Sequence, residues 1–322
     1  MESSAEKNTP LMQQYFAIKS QHPGTLLLFQ VGDFFELFFD DAKTAANYLA
    51  IALTKRGKNK GEDIPLCGIP VHALNHYLAK LIKGGHRVAL CEQLTKPQPG
   101  TVVERGVTRV FTPATLTEAA MLDDKSASYL LTFVPGEREW GLLFGELLTA
   151  QLFATTLPAD AGRMVESELI RFSPDEVILP TTKQALGFDS YFKKLGYSTN
   201  IALSGDADTA SGPAVPTAWM HQRLCAKTQT LLSKHPVLVD NVQTLYWYLK
   251  RNHERALEQF KTIHFYQPDD YLILDAATQQ NLELLTNNHD GSSKHTLFAV
   301  LDHAKTAMGS RTIKKWIGRP LV

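Results

Sequence analysis

LLLFQVGDFFE, residues 26–36, is the stretch that decides the fold of the N-terminal part of this chain. Its first six residues form an apolar run typical of a buried strand, and Gly32-Asp33 then predicts a bend or bulge. We expect this kink, rather than the sheet, to aim the side chains of Phe34, Phe35 and Glu36. A ring beside a carboxylate suits a flat, hydrogen-bonding partner such as a nucleobase. The alternative is that both rings fill the core while Glu36 faces water.

The composition predicts a soluble globular protein with more than one domain. Of its residues, 44% are hydrophobic and 20% are charged, as in soluble globular proteins. A chain of 322 residues is too long for one ordinary hydrophobic core, so we expect two or three domains. No stretch offers the about 18 uncharged apolar residues of a membrane span, and the polar N-terminus lacks the apolar core of a signal peptide. Cys67, Cys91 and Cys225 are widely separated, which argues against a disulfide framework or zinc site and favours a reducing cytosol.

Charge gives little support to a nucleic-acid partner. Lysine and arginine number 33, and aspartate and glutamate also number 33, so the formal net charge is zero. Residues 55–60, KRGKNK, form the one concentrated basic tract. We expect a loop there, which is either simply solvated or able to follow a phosphate backbone.

Residues 1–117 are predicted to form a mixed α/β domain. Helical spacing predicts helices over residues 9–21, 40–53 and 72–83. Apolar runs predict strands over residues 25–31, 87–92 and 105–112. Two prolines and a glycine within residues 64–70 predict irregular structure between the basic tract and the last helix.

The pattern restarts and predicts a second α/β domain over residues 118–262. Strands are expected over residues 129–134, 140–147, 150–155 and 176–179, helices over 161–172 and 245–260, and a flexible loop over 204–217. Residues 263–322 are predicted to be all-α, with helices over 276–285 and 297–316. Because so few helices make a marginal core, we expect them to begin a larger helical domain that has been cut short.

Signatures of catalysis are thin. The sequence contains no G-x-x-x-x-G-K-[ST] phosphate-binding loop, no G-x-G-x-x-G, no G-x-S-x-G and no H-E-x-x-H. Acidic pairs occur at Asp40-Asp41, Asp123-Asp124 and Asp269-Asp270, but such pairs more often cap helices or lie in turns than bind a metal. We therefore expect no enzymatic site in these residues.

Several segments are informative as an ordered set. They are GDFFELF at 32–38, LTKRG at 53–57, IPLCGIPVHA at 64–73, YLAKL at 77–81, CEQ at 91–93, DAATQQNLEL at 275–284 and MGSR at 308–311. In sequence and order they resemble the MutS family of DNA mismatch repair proteins. The resemblance covers almost the whole chain and is weakest between residues 180 and 240.

The resemblance implies an architecture. Residues 1–117 would form a mismatch-binding domain, residues 118–262 a connector resembling an RNase H fold, and residues 263–322 the beginning of a helical core and lever domain. In the family a clamp and an ATPase domain follow, so we expect an N-terminal fragment that is not itself an enzyme. ATP and Mg²⁺ would be cofactors of the full-length protein, with none expected in this part.

The resemblance also implies roles for individual residues. Phe34 would wedge against a mispaired base from the minor groove, and Glu36 would form a hydrogen bond with that base. Phe35 would turn into the core, and strand alternation does place residues 34 and 36 on one face and residue 35 on the other. The expected phosphate contacts are Lys55, Arg56, Lys58 and Lys60.

The implied partners are double-stranded DNA with mismatches or small loops, a second copy of the full-length chain, and a MutL-type protein that binds the connector, but no membrane. The implied location is the bacterial cytoplasm, at the nucleoid. An alternative is a truncated interaction module, whose connector meets MutL-type partners without useful DNA affinity. A nuclease on the RNase H-like domain is not expected, because no convincing carboxylate cluster is present.

Overall fold

The chain, seen in a computed structural model, folds as two units, Met1–Met121 and Leu122–Val322. The structure describes residues 9–59, 62–95, 103–113, 128–202, 214–272, 274 and 276–321. Each unit contains one mixed six-stranded sheet with helices, which confirms the α/β part of the predicted fold class. The domain boundaries at residues 117 and 262 stay predictions. In the described part of the chain, no helix is both long and apolar enough to cross a membrane.

The sheet of the first unit has the strand order β3-β4-β2-β1-β5-β6. The strands are β1 (Leu26–Val31), β2 (Phe34–Phe38), β3 (Thr54–Asn59), β4 (Glu62–Pro70), β5 (Val88–Gln93) and β6 (Arg105–Phe111). The helices are α1 (Pro10–Gln21), α2 (Phe39–Leu49) and α3 (Leu74–Lys83). Strand β1 runs parallel to β5 and antiparallel to β2, so β2 lies inside the sheet between β1 and β4.

A tight hairpin joins β1 to β2. Val31 pairs with Phe34 across it, and Gly32 adopts a φ of +58°, which glycine reaches without the steric cost of a Cβ. The predicted bend is therefore confirmed. The prediction that a kink aims Phe34 and Glu36 is wrong, because both residues belong to β2 and the pleat of the sheet aims their side chains.

Residues 64–70 form a strand rather than the irregular structure that their prolines predicted. They belong to β4, a strand of nine residues. Proline lacks a backbone N–H and is tolerated at strand ends and edges. Pro70 is the last residue of β4, and Pro65 lies beyond Leu66, the residue where pairing with β2 ends. Pro65 thus faces only β3, where it pairs with Lys55, and Pro70 faces β2 at the end of the strand.

Other boundaries in the first unit also differ from the prediction. Helix α2 ends at Leu49, because Ala50 adopts a left-handed φ of +54°, so the predicted helix over 40–53 is too long. The described part of the basic tract is strand β3 rather than a loop. Helix α3 begins at Leu74 after a 3₁₀ turn at Val71–Ala73, slightly later than predicted.

The sheet of the second unit has the order β11-β10-β7-β8-β9-β12. Its strands are β7 (Tyr129–Pro135), β8 (Glu139–Glu146), β9 (Gln151–Pro158), β10 (Glu176–Pro180), β11 (Thr199–Ala202) and β12 (Ile263–Phe265). Strands β7, β8 and β9 form an antiparallel meander, whereas β10 and β11 continue the sheet in parallel from β7. The strands predicted from the apolar runs are confirmed, and β12 adds three residues from the predicted third region to this sheet.

The helices between and beyond these strands are α4 (Gly162–Phe172), α5 (Lys183–Leu186), α6 (Asp189–Lys194), α7 (Ala214–Arg223), α8 (Ala226–Lys234) and α9 (Pro236–Asn252). The predicted helix over 245–260 is wrong at both ends, since α9 begins at Pro236 and a 3₁₀ turn covers Glu254–Glu258. The predicted loop over 204–217 lies mostly outside the described residues, and its last residues are in α7.

Three short helices follow, α10 (Ala276–Asn281), α11 (Leu297–Leu301) and α12 (Ala307–Gly318). The predicted helices over 276–285 and 297–316 are therefore too long. The second is interrupted because α11 ends at Leu301 and Thr306 caps α12, its hydroxyl accepting a hydrogen bond from the Gly309 N–H at 3.1 Å. The all-α prediction for residues 263–322 is wrong for Ile263–Phe265, which form β12, and whether the residues after it begin a larger helical domain stays a prediction.

Candidate nucleic-acid interface

One face of β2 carries the two side chains to which the sequence assigned chemistry. Phe34 and Glu36 lie on the same face, and Phe35 points to the other. The Phe34 side chain is 47% exposed, whereas Phe35 is only 2% exposed. Further along the same face, Phe38 packs edge-on against Tyr15 of α1, with ring centroids 5.0 Å apart. The face is therefore core at one end and surface at the other.

The ring of Phe34 lies over a glycine on the neighbouring strand. Gly68 of β4 pairs with Glu36, and a Cβ placed on this glycine would stand 3.6 Å from Cδ1 of Phe34. Because Gly68 has no side chain, the ring rests close to the backbone of the sheet. The result is a flat aromatic surface beside a carboxylate.

Glu36 forms an ion pair with Arg56 of β3. The Nη1 atom of Arg56 lies 2.7 Å from Oε1 and 2.6 Å from Oε2 of Glu36. A β-bulge positions the arginine, because Arg56 and Gly57 together oppose the single residue Ile64, and Gly57 adopts a φ of +64°. Bulges re-aim side chains in this way. The carboxylate reaches across β4 to meet the guanidinium.

Two effects compete on the acidity of Glu36. Burial of the carboxyl group raises its pKa above the ordinary value, and the nearby guanidinium of Arg56 opposes that rise. Arg105 opposes it more weakly, by charge alone. The balance is a raised pKa, so a carboxylate in this position depends on its cationic neighbour.

The other basic residues of residues 55–60 are placed differently. Nζ of Lys55 lies 2.7 Å from Oδ2 of Asp63, and both side chains remain largely exposed. The side chain of Lys58 and all of Lys60 lie outside the described residues. The structure thus brings Arg56 to Glu36 and leaves Lys55 at the surface of the hairpin between β3 and β4.

Sequence reasoning missed Arg105, which opens β6. Its Nε donates to the Gln30 carbonyl at 2.7 Å, and its guanidinium lies 5.1 Å from the Phe29 ring centroid. Phe29 pairs with Glu36 across β1 and β2, so this second cation is a neighbour of the carboxylate. A lone arginine at the start of a strand gives no signal in sequence, because its position depends on the pairing of distant strands.

A buried polar cluster lies in the second unit. Glu168 and Arg171 of α4 form an ion pair at 2.7 Å, and the Tyr266 hydroxyl donates to Glu168 at 2.6 Å. Arg319, which follows α12, stacks on Phe172 with its guanidinium 3.6 Å from the ring centroid. Its Nε donates to the Arg171 carbonyl at 3.3 Å. This cluster fastens the end of α12 to α4.

Burial and hydrogen bonding shift the pKa of the three cysteine thiols in different directions. Desolvation raises the pKa of the Cys67 thiol to about 11 and that of Cys91 to about 12. Cys225 precedes α8, and hydrogen bonding, first of all to the Thr228 hydroxyl, lowers its pKa to about 7. Within the described residues, no group of three or more histidine, cysteine, aspartate or glutamate side chains could hold a metal ion.

Two segments of the chain match family models of known protein domains. Residues 9–120 match the family model for MutS domain I, and residues 277–322 match that for MutS domain III. The first range contains β2, with its exposed ring and its carboxylate, and the second contains α11, α12 and all of α10 except its first residue.

Curated relatives extend the match to nearly the whole chain. The DNA mismatch repair protein MutS of Pelotomaculum thermopropionicum is 39% identical over 97% of this chain. The proteins of the same name from Alkaliphilus metalliredigens and Dehalococcoides mccartyi are 35% and 36% identical over 98% of it. The chain spans 36% of the length of each of these relatives. It belongs to the MutS family, which confirms the resemblance found in the sequence.

Proposed function

We propose that this chain binds mismatched double-stranded DNA in DNA mismatch repair, with Phe34 wedging at the mispaired base and Glu36 forming a hydrogen bond with it. The observation that carries this proposal is the exposure of Phe34. Phenylalanine is usually buried, yet Phe34 is the most exposed of the 16 phenylalanines of the chain, all of which the structure describes. It stands beside a carboxylate on a face that is otherwise continuous with the core.

The proposed selectivity comes from the energy of deforming DNA. Stacking one aromatic ring on a base contributes about 1–3 kcal/mol, whereas unstacking a base step costs a few kcal/mol. A paired, well-stacked step would offset the wedge poorly. A mismatch is already destabilised and kinks more easily, so deformability is read as selectivity.

Glu36 would act in discrimination rather than affinity, because a carboxylate is repelled by the phosphates that line a DNA groove. Its ion pair with Arg56 supports this role by offsetting the charge. Lys55, Lys58 and Lys60 are the proposed phosphate contacts. They would supply the sequence-independent part of the affinity.

The larger architecture is proposed from the relatives and from topology. Residues 1–117 would be the mismatch-binding domain, residues 118–262 the connector, and residues 263–322 the beginning of the helical core. The strand order β9-β8-β7-β10-β11, with an antiparallel meander continued by parallel strands, supports an RNase H-like connector. For the whole protein we propose an ATP- and Mg²⁺-dependent homodimer that acts on DNA in the cytoplasm and meets a MutL-type partner through the connector.

Fluorescence anisotropy with three duplexes tests the proposal. The duplexes carry a G·T mismatch, an unpaired T or no defect, and the whole 322-residue chain is titrated. Phe34→Ala is expected to lose the preference for the defective duplexes, by a factor of about 5 to 150 if one stacked base is lost. Glu36→Ala is expected to reduce the discrimination between defective and matched DNA.

Tyr48→Ala is the matched control. Tyr48 is 48% exposed, and its helix α2 packs on the opposite face of the sheet, where Cys67 Sγ contacts the Ala42 carbonyl. The preference should survive this change. If the wild-type chain shows no preference even when a fused segment forces it to dimerise, the proposal is wrong and an interaction module is the better reading.

A further inference from the structure

The ion pair between Glu36 and Arg56 has a geometry that leaves both partners partly free. A single nitrogen of Arg56 contacts both oxygens of Glu36, at 2.7 and 2.6 Å. A carboxylate offers about four lone-pair sites, so one on each oxygen remains for another donor. Glu36 can therefore keep Arg56 and still accept a hydrogen bond from a base.

The alternative use of Arg56, as a phosphate contact, would leave Glu36 in a worse environment. The carboxylate is mostly covered by protein, and its cationic neighbours are Arg56 and, more weakly, Arg105. Arg105 is itself engaged by the Gln30 carbonyl and the Phe29 ring. If Arg56 moved to a phosphate, Glu36 would face the DNA with its charge largely uncompensated.

We infer that Arg56 determines specificity by acting through Glu36, whose carboxylate it orients and whose charge it cancels, rather than by contacting phosphate. This inference rests on the proposed function of Glu36. The bulge at Arg56 and Gly57 is the structural device, because it turns a residue of an outer strand towards the inner strand β2. Arg56 is thus a positioning residue that stays on Glu36 while the base is read.

A measurement without DNA tests the pairing itself. The whole chain is labelled with ¹³C at glutamate carboxyl groups, and the Glu36 signal, assigned with Glu36→Gln, is followed by NMR against pH. Arg56→Gln is expected to raise the pKa of Glu36, because the cation that favours the carboxylate is gone. Lys55→Gln is the matched control. Because Lys55 pairs with Asp63, this substitution should leave the pKa of Glu36 unchanged. An unchanged titration in Arg56→Gln overturns the inference.

A double-mutant cycle tests the role in recognition. Affinities for G·T and matched duplexes are measured for wild type, Arg56→Gln, Glu36→Gln and the double variant. Action through Glu36 predicts that Arg56→Gln lowers the mismatch preference about two- to tenfold, and that the effect disappears in the Glu36→Gln background. Arg56→Lys, which keeps the charge, should restore part of the preference.

A phosphate contact predicts the opposite pattern. Arg56→Gln would then lower the affinity for both duplexes equally and reduce the slope of log K against log salt concentration by about one. Its effect would add to that of Glu36→Gln. That result overturns the inference and leaves the proposed function intact. A wild-type chain without mismatch preference refutes the proposed function and the specificity role together, and the titration still reports whether the pair forms.

Discussion

The ring of Phe34 lies directly over Gly68, with its Cδ1 atom 3.6 Å from the point where a Cβ would stand on the glycine. The two residues belong to neighbouring strands, β2 and β4, and Gly68 pairs with Glu36. The ring therefore leaves room at position 68 for a methyl group but not for a larger side chain. This makes the glycine a determinant of the exposed aromatic surface.

Substitution of Gly68 separates a tolerated change from a disruptive one. Gly68→Ala should bind mismatched DNA like wild type, because a Cβ at 3.6 Å is an ordinary van der Waals contact. Gly68→Val adds methyl groups that reach into the ring and should displace it, with a loss of mismatch preference close to that of Phe34→Ala. Anisotropy titrations measure both. Equal binding by the two variants would show that the position of the ring does not matter.

Neighbouring phenylalanines on β2 should differ sharply in their effect on stability. Phe35→Ala is expected to destabilise the first unit by about 3–5 kcal/mol, because it opens a cavity in the core. Phe34→Ala should change stability by less than about 0.5 kcal/mol, since its ring is at the surface. All four tryptophans follow residue 121, so hydrogen exchange of peptides from β1 and β2 is the suitable measurement. Similar protection losses in both variants would contradict the assigned faces.

Cysteine reactivity should be confined to one residue in the native protein. Alkylation of Cys225 by iodoacetamide is expected to accelerate as pH rises through about 7, where the thiolate forms. Cys67 and Cys91 are buried and should stay unmodified. Mass spectrometry of the peptides checks this, with Cys225→Ser as the control that abolishes labelling. Modification of Cys67 under native conditions would be inconsistent with its burial in the first unit.

Loss of the Arg319 side chain should weaken the packing of α12 against α4 within the second unit. Arg319→Met removes the guanidinium stacked on Phe172 and the hydrogen bond to the Arg171 carbonyl, and should cost about 1–3 kcal/mol. Thermal unfolding followed by tryptophan fluorescence measures the change. Lys305→Met, at an exposed position before α12, is the matched control and should have little effect. A wild-type melting temperature in Arg319→Met would contradict the packing described.

Strands with a continuous apolar run, such as β1, β7 and β8, could be predicted from sequence, because such runs leave few alternatives, whereas β2, β11 and β12 were not predicted. Helix ends were less accessible. Leu49 ends α2 only because Ala50 adopts a left-handed backbone, and α11 stops before Thr306 because that residue caps the next helix. Strand β4 was missed because the cost of a proline depends on which neighbouring strand it faces.

The candidate site was predictable in part. Alternation along a strand gave the opposite orientations of Phe34 and Phe35. The pairing of Glu36 with Arg56 could not be foreseen, because it requires the register of three strands and a bulge in the outermost one. The resemblance to a family gave Arg56 a phosphate role for the same reason, since a basic tract read alone has no internal partner.

Strand β2 is hydrogen-bonded on both sides, to β1 and to β4, so the side chains of Phe34 and Glu36 stand on a strand that its neighbours hold in place. A flexible loop carrying the same side chains would change conformation on contact with a duplex and so reduce the distortion of the DNA. A doubly paired strand yields little, and the distortion falls on the partner. Under the proposed function, the first unit would then distinguish duplexes by the free energy that bending each of them requires.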